Sequence, residues 1–344
     1  MLKIQNNIPL KDYSTFKIGG PAKYFTCVKT TSQLAESLEW AKKNNYPFFF
    51  LGNGSNILFS DKGYKGLIIK IQLSGLKSQD TKIICGAGNL INEVQDITIS
   101  KGLTGFEWAA GIPGTIGGAI FGNAGAFGRE MKDVVENVKA LNLKTLKPEN
   151  FKNKKCQFFY RSSIFKIKRN WVILEAELEF KKAKKEDVLK KIKEDLFYRI
   201  GRHPLKYPSI GSIFKNIKFT PYNPENLKLQ TRDKKNKDIY RKEKLRPLER
   251  GYTGFTKENL KLIEKFPDLK QFFQKGEIPA AYLIHSCNLK GKKIGGAQVS
   301  EKHPNFIINI SNAKAKDVIN LISLVKKKVK QKFRIQLEEE IIII

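Results

Sequence analysis

Histidine and cysteine are scarce in this chain of 344 residues, three of the first and four of the second. His203, His285 and His303 form neither an HExxH nor an i,i+4 pair, which excludes the common helical zinc motif. Cys27, Cys85, Cys156 and Cys287 stand singly, with no CxxC pair and no dense spacing of a secreted disulfide framework, and read as buried thiols. No metal is expected. No apolar run approaches the roughly 20 residues of a membrane span, and the opening MLKIQNNIPLKDYSTF lacks the apolar core of a signal peptide. The expected setting is the cytoplasm, with no membrane partner. Acidic side chains are also short in number: 33 Asp and Glu stand against 64 Lys and Arg, a formal net charge of +31.

Such a balance raises nucleic acid first, because Lys and Arg neutralising phosphates dominate non-specific affinity. The lysines are, however, dispersed along the whole chain. In residues 313–333, AKAKDVINLISLVKKKVKQKF, the apolar Val318, Ile322, Val325, Val329 and Phe333 recur at helical spacing while Lys326, Lys327, Lys330 and Lys332 fall between them. That is a solvated helix face. No recognisable nucleic-acid motif accompanies it, so no nucleic-acid partner is expected, and part of the charge is free to attract a small polyanionic substrate. With 41% apolar residues the composition is that of a folded protein, and at roughly 150 residues per domain the length predicts two or three domains.

The first 70 residues read strand, helix, strand: KYFTCV, TSQLAESLEWAKKN with Leu34, Leu38 and Ala41 on one face, PFFFL, then GLIIKI. Strand-like TKIIC, VKALNL and VILEAELEF follow, and AKKEDVLKKIKEDLFYRIGR reads as a helix leading to a boundary near residue 200. Residues 228–246 hold nine Lys or Arg and few apolar side chains, marking an exposed basic insertion at about 218–276. Beyond it come IPAAYLIHSCNLKG, strand-like FIINI, the helix described above and a terminal strand, QLEEEIIII. No internal repeat, low-complexity tract or heptad is present. The fold class is α+β.

Glycine is concentrated rather than abundant. Nine of the 26 glycines fall within residues 102–128, GLTGFEWAAGIPGTIGGAIFGNAGAFG, while GNGSN at 52–56 and GAGN at 86–89 form two further tight loops after strands. Successive amides pointing into one concavity bind phosphate, and glycine lets that backbone approach. Three such loops suggest a large phosphorylated ligand. Neither GNGSNI nor GAGNLI completes GxGxxG, and no loop ends in GK[ST], so Rossmann and Walker binding do not follow.

In order along the chain, STFKIGGPA (14–22), LGNGSNIL (51–58), GAGN (86–89), residues 102–128, FYRSSIFK (159–166), PSIGSIFKN (208–216), AAYLIHSCNLKGKKIGGAQVSEKHPNFIIN (280–309) and LEEEI (337–341) resemble the UDP-N-acetylenolpyruvoylglucosamine reductases, also called UDP-N-acetylmuramate dehydrogenases. Only the insertion is left uncovered. The resemblance implies a two-part FAD-binding module of the vanillyl-alcohol-oxidase type, residues 1–70 and 71–200, the second half joined by the terminal strand 334–344. A C-terminal α+β substrate-binding domain, 201–333, would complete the chain. The short spacing from YRSSIFK to GSIFKN looks like the family's second type. By resemblance Gly52, Asn53, Gly54, Ser55 and Asn56, with Gly111, Ile112, Pro113, Gly114, Thr115 and Gly118, would surround the flavin diphosphate and ring.

The implied reaction reduces the enolpyruvyl ether of a UDP-sugar, UDP-N-acetylglucosamine enolpyruvate, to the lactyl ether of UDP-N-acetylmuramate, in peptidoglycan precursor synthesis. NADPH gives a hydride to FAD, and the reduced flavin passes one to the terminal enolpyruvyl carbon. Arg161 matches the arginine facing the carboxylate that gains charge, Glu340 the glutamate before the last strand, and Ser212 the serine that protonates the intermediate. Strand alternation places Glu338 and Glu340 on one face, so Glu340 rests on the family register. Lys215 would aid Ser212 or contact the diphosphate, and Asn216 would hold the nucleotide. Two positions depart: Phe127 stands where the family often has tyrosine, and Ser162 where aspartate is common. The rival readings are a related FAD-dependent oxidoreductase with another substrate and a basic nucleic-acid-binding protein.

Overall fold

The computed structural model describes residues 2–219, 252–253 and 257–344. Near the N-terminus, four strands form a sheet in the order Gln5–Pro9, Pro21–Val28, Tyr64–Ile71, Phe48–Leu51. The first pair is antiparallel and the other two are parallel, joined by the helix Thr31–Lys43. That helix starts where Thr30 Oγ1 accepts the Gln33 N–H at 3.2 Å, and it buries Leu34, Leu38 and Ala41 as its apolar spacing requires. The sheet is buried on both faces. Leu67 and Ile69 join the helix in the main core, while Phe25, Leu51 and Ile68 face a smaller one.

The second unit is a five-stranded antiparallel sheet in the order Pro148–Lys152, Val135–Asn142, Trp171–Glu179, Lys82–Gly86, Leu76–Gln79. Helices Ile91–Ser100 and Ile116–Gly122 cover one face and share the main core with the first unit. The long helix Lys185–Arg202 lays Val188 and Ile192 against Ala110, so it belongs to this unit. Among the described residues no helix is long and apolar enough to cross a membrane.

The third unit packs around the helix Ala315–Phe333, whose Val318, Ile322, Val325, Val329 and Phe333 are all buried. Each of these side chains contributes about 1.5–3 kcal/mol by leaving water. Asp61 reaches over from the first unit and accepts the Ala315 and Lys316 amides at 2.7 and 3.0 Å, satisfying two open N–H groups of the first turn. Phe16 and Ile18 of the STFKIGG segment are buried in this third core, and Thr15 Oγ1 donates to the Ser209 carbonyl at 2.7 Å.

Three expectations meet a different arrangement. The terminal strand Ile342–Ile343 pairs in parallel with Ile57–Leu58 of the first unit rather than joining the second. Its isoleucines fit there because Ile342 and Ile344 pack on the first unit's smaller core. Of the insertion at 218–276, residues 220–251 and 254–256 lie outside the described residues. From Lys257 onward the chain is helical, and Leu269 and Phe273 are buried in the third core, so an exposed character ends well before residue 276. All four cysteines are free, with Cys85 and Cys156 buried but Cys27 and Cys287 only half-buried.

Candidate active site

The three glycine-bearing loops converge. A side chain at Gly52 would stand 2.7 Å from Thr115 Oγ1, one at Gly117 would stand 2.8 Å from Ala87 Cβ, and Asn53 Nδ2 donates to the Pro113 carbonyl at 2.8 Å. Ile116, Gly117 and Gly118 begin the helix after GIPGT, where Thr115 Oγ1 accepts the Gly118 N–H at 3.2 Å and the Ile116 and Gly117 amides bond Asn89 and Ala87 of the GAGN loop. Gly54 is the position that no other residue fits, with φ +64° and a virtual Cβ 2.0 Å from the Tyr13 carbonyl oxygen.

Within this junction the backbone N–H groups of Asn53, Gly54 and Ser55 find no acceptor among the described residues, and neither do those of Gly111 and Thr115. Open amides on loops that glycine keeps narrow are what an anionic diphosphate requires. The residues therefore fit FAD, with Gly52 to Asn56 and Gly111 to Thr115 as the residues that would hold it. Gly118 stands at the rim, its amide turned to Thr115.

Beside the loops, Arg161 and Glu340 meet. Arg161 Nε donates to Glu340 Oε1 at 2.6 Å and its Nη2 donates to the Gly125 carbonyl at 2.8 Å. Both side chains are only 19% exposed. Burial opposes the guanidinium charge, but Glu340, then Tyr160 and Glu130, outweigh it and raise the pKa further. The Glu340 backbone is held on two sides: its N–H donates to the Ile213 carbonyl at 2.8 Å, and its carbonyl accepts from Asn56 Nδ2 at 3.2 Å. Ser212 is thus one residue from the chain that holds Glu340, and Asn56 of the GNGSN loop touches the same peptide. Ser212 is half-buried and bridges to Phe306, and its hydroxyl has no hydrogen-bond partner among the described residues.

The three consecutive glutamates go to three different cations. Glu338 pairs with Lys215 at 3.2 Å while 73% exposed, Glu339 with Lys326 at 2.8 Å, and Glu340 with Arg161. Lys215 is thereby tied to the same short segment as Glu340. Asn216 is engaged within the protein on three sides. Its Nδ2 donates to Glu277, its Oδ1 accepts the Ala280 N–H at 3.1 Å, and its backbone N–H donates to Tyr160 Oη at 3.1 Å. It ties the site to the third unit's core.

Phe127 is 43% exposed and carries the Arg199 guanidinium 5.3 Å from its ring centroid, a cation–π contact that needs no hydroxyl. The motif reading passed over Tyr160, Lys166 and Asn123, which also shape this corner. Tyr160 lies under Arg161 at 5.0 Å and under Lys218 at 5.1 Å, and burial raises its pKa. Fully buried Asn123 donates to the Phe159 carbonyl at 3.0 Å. All three stand inside matched motifs, which was the signal available.

Residues 203–344 match the family described as UDP-N-acetylenolpyruvoylglucosamine reductase, C-terminal domain, and residues 22–145 match the FAD binding domain. The UDP-N-acetylenolpyruvoylglucosamine reductase of Caldanaerobacter subterraneus subsp. tengcongensis is 36% identical over 348 residues, covering 99% of this chain and 94% of its own. The chain belongs to the UDP-N-acetylenolpyruvoylglucosamine reductases. That of Alkaliphilus oremlandii is 35% identical over 338 residues, covering 98% and 91%. The crystal structure of the Thermus caldophilus enzyme superposes with a TM-score of 0.70 at 26% identity, covering 100% of this chain and 99% of that one. The chain is accordingly an FAD-dependent oxidoreductase with an α+β fold, an FAD-binding domain and a C-terminal α+β domain. The family works with FAD and NADPH in peptidoglycan synthesis.

Proposed function

We propose that this chain reduces UDP-N-acetylglucosamine enolpyruvate to UDP-N-acetylmuramate with NADPH as the reductant, in the cytoplasm where nucleotide sugars are made. Bound FAD supplies hydride transfer from the nicotinamide to the terminal enolpyruvyl carbon. The protein's own part is to receive negative charge and deliver a proton. Arg161 keeps N–H groups beyond its bonds to Glu340 and Gly125, and these are the donors for the substrate carboxylate as charge develops on it. A preorganised donor of this kind is worth about 3–4 kcal/mol at the barrier, judged by oxyanion-hole deletions.

Ser212 gives its proton to the carbon that bears the ether oxygen. An alcohol is a weak acid, so the alkoxide left behind needs neighbouring positive charge, which Arg161 and Lys215 provide. Glu340 accepts from Arg161 and orients it; to pass a proton itself it would work through a bound water. Lys215 also suits the diphosphate, once drawn from the exposed Glu338.

One observation carries this reading: Glu340 bonds Arg161 by its side chain while its backbone is clasped between Asn56 of the FAD loop and Ile213, next to Ser212. The test is anaerobic. The protein with FAD is bleached by NADPH, and the enolpyruvyl UDP-sugar is then added. Return of the oxidised spectrum is expected, and it should be slowed about 100-fold or more in Ser212→Ala. Full-speed return in that variant removes serine from the proton-donor role, and no return in the unaltered protein removes the substrate.

A further inference from the structure

Arg161 is held in a conformation it does not favour. It occupies the second central position of a two-residue turn, Tyr160 and Arg161, closed by reciprocal backbone bonds of 3.1 and 3.0 Å between Phe159 and Ser162. Its φ is +55°, in the left-handed region that such turns normally give to glycine. Two side chains grip the turn. Asn123 bonds the Phe159 carbonyl from one side at 3.0 Å. Lys166, from the short helix Ile164–Lys168 that follows, donates Nζ to the carbonyl of Arg161 itself at 3.0 Å.

That lysine is poorly placed for any ordinary surface role. Burial first, and the charges of Lys215, Arg161 and Arg169 with it, press its pKa downward, and only Glu340 acts in the other direction. It makes no ion pair among the described residues, and its hydrogen bond goes to Arg161. The helix that carries it is anchored where Ser163 Oγ donates to the Phe121 carbonyl at 2.8 Å. A charge-assisted bond to a carbonyl is directional, and here it fixes the peptide from which the guanidinium projects.

We propose that Lys166 is a positioning residue for Arg161, locking the left-handed turn so that the guanidinium meets Glu340 and faces the substrate carboxylate. The lysine touches neither partner of the chemistry and acts through Arg161. This rests on the function proposed above, and its test includes a readout that does not.

The first measurement is the side-chain Nε–H signal of Arg161 in ¹H–¹⁵N spectra, assigned by its disappearance in Arg161→Lys. The bond to Glu340 predicts a downfield, slowly exchanging signal. It should be lost or exchange at least about tenfold faster in Lys166→Met and in Lys166→Gln, and persist in Lys166→Arg, which keeps a charged donor. An unchanged signal in both neutral variants overturns the proposal, whatever the substrate proves to be.

The second uses the two half-reactions. Bleaching by NADPH should stay within about twofold in Lys166→Met, while reoxidation by the enolpyruvyl UDP-sugar slows about 10- to 100-fold, the cost of a catalytic group displaced by about an ångström. In an Arg161→Ala background the same substitution should change reoxidation by less than about twofold, because there is no guanidinium left to position. A full additional loss in that background, or equal slowing of both half-reactions, overturns it. Failure of the unaltered protein to be reoxidised would instead refute the substrate, leaving the signal of Arg161 to decide on Lys166.

Discussion

His203 sits one residue past the helix Lys185–Arg202, its ring 4.9 Å from Phe306 and 5.5 Å from His303, on the segment that bridges to Ser212. Burial, then His303, Arg199 and Lys302, push its pKa down from 6.5 to about 4. His303 is shifted the same way, chiefly by burial. A folded value below the unfolded one means that the unfolded chain binds the proton more readily. Stability is therefore complete above pH 6.5 and is lost as the pH falls toward 4. For one group with these two values, linkage gives a loss of about 2 kcal/mol between pH 7 and pH 5, reduced to about 1 kcal/mol because the ring keeps some contact with water. With a urea slope of roughly 2–3 kcal/mol per molar, the midpoint should drop about 0.3–0.5 M over that interval. The assay is urea unfolding followed by far-UV circular dichroism at pH 7, 6 and 5, in the unaltered protein and in His203→Phe. Subtracting the variant removes what all other groups contribute. A difference that does not change with pH would refute a half-buried, proton-rejecting His203.

Among the adjacent glutamates, Glu340→Gln should slow substrate-driven reoxidation about 10-fold or more by loosening Arg161, while Glu338→Gln and Glu339→Gln, at exposed or half-exposed pairs, should leave it within about twofold; equal effects in stopped-flow traces would refute the register. Gly54→Ala puts a Cβ into the Tyr13 carbonyl at a positive φ, so the purified variant should lack the visible absorbance of bound flavin, and a fully yellow variant would contradict the tight-loop account. Phe333→Ala empties a buried site at the end of the long helix and should cost about 3–5 kcal/mol in denaturant unfolding, against under about 0.5 kcal/mol for Lys330→Ala on its wet face.

Local periodicity carried much of the fold. The stripe Val318, Ile322, Val325, Val329, Phe333 is buried as its spacing demands, and KYFTCV, PFFFL and GLIIKI become neighbouring strands. What periodicity could not supply was pairing. IIII at the end of the chain reads as a strand in any context, and only the tertiary arrangement sends Ile342 to Ile57. The buried Leu269 and Phe273 were hidden by the basic residues upstream, since a charge average over a long window obscures two apolar anchors. At the site, crowding of glycine pointed to loops near a ligand, and the contact of Gly52 with Thr115 gives that a geometric cause. The polar partners are harder to read. Asn216 looks like a free amide in sequence, and nothing local says that Glu277 and Ala280, about 60 residues on, will claim it.

The clasping of Glu340 between Asn56 and Ile213, with Ile342 bonded alongside, also bears on how a bulky nucleotide sugar gets in. The C-terminal domain is stitched to the first unit along this edge by main-chain bonds, so a rigid rotation that parted the two here would have to break the Asn56, Ile213 and Ile342 bonds together.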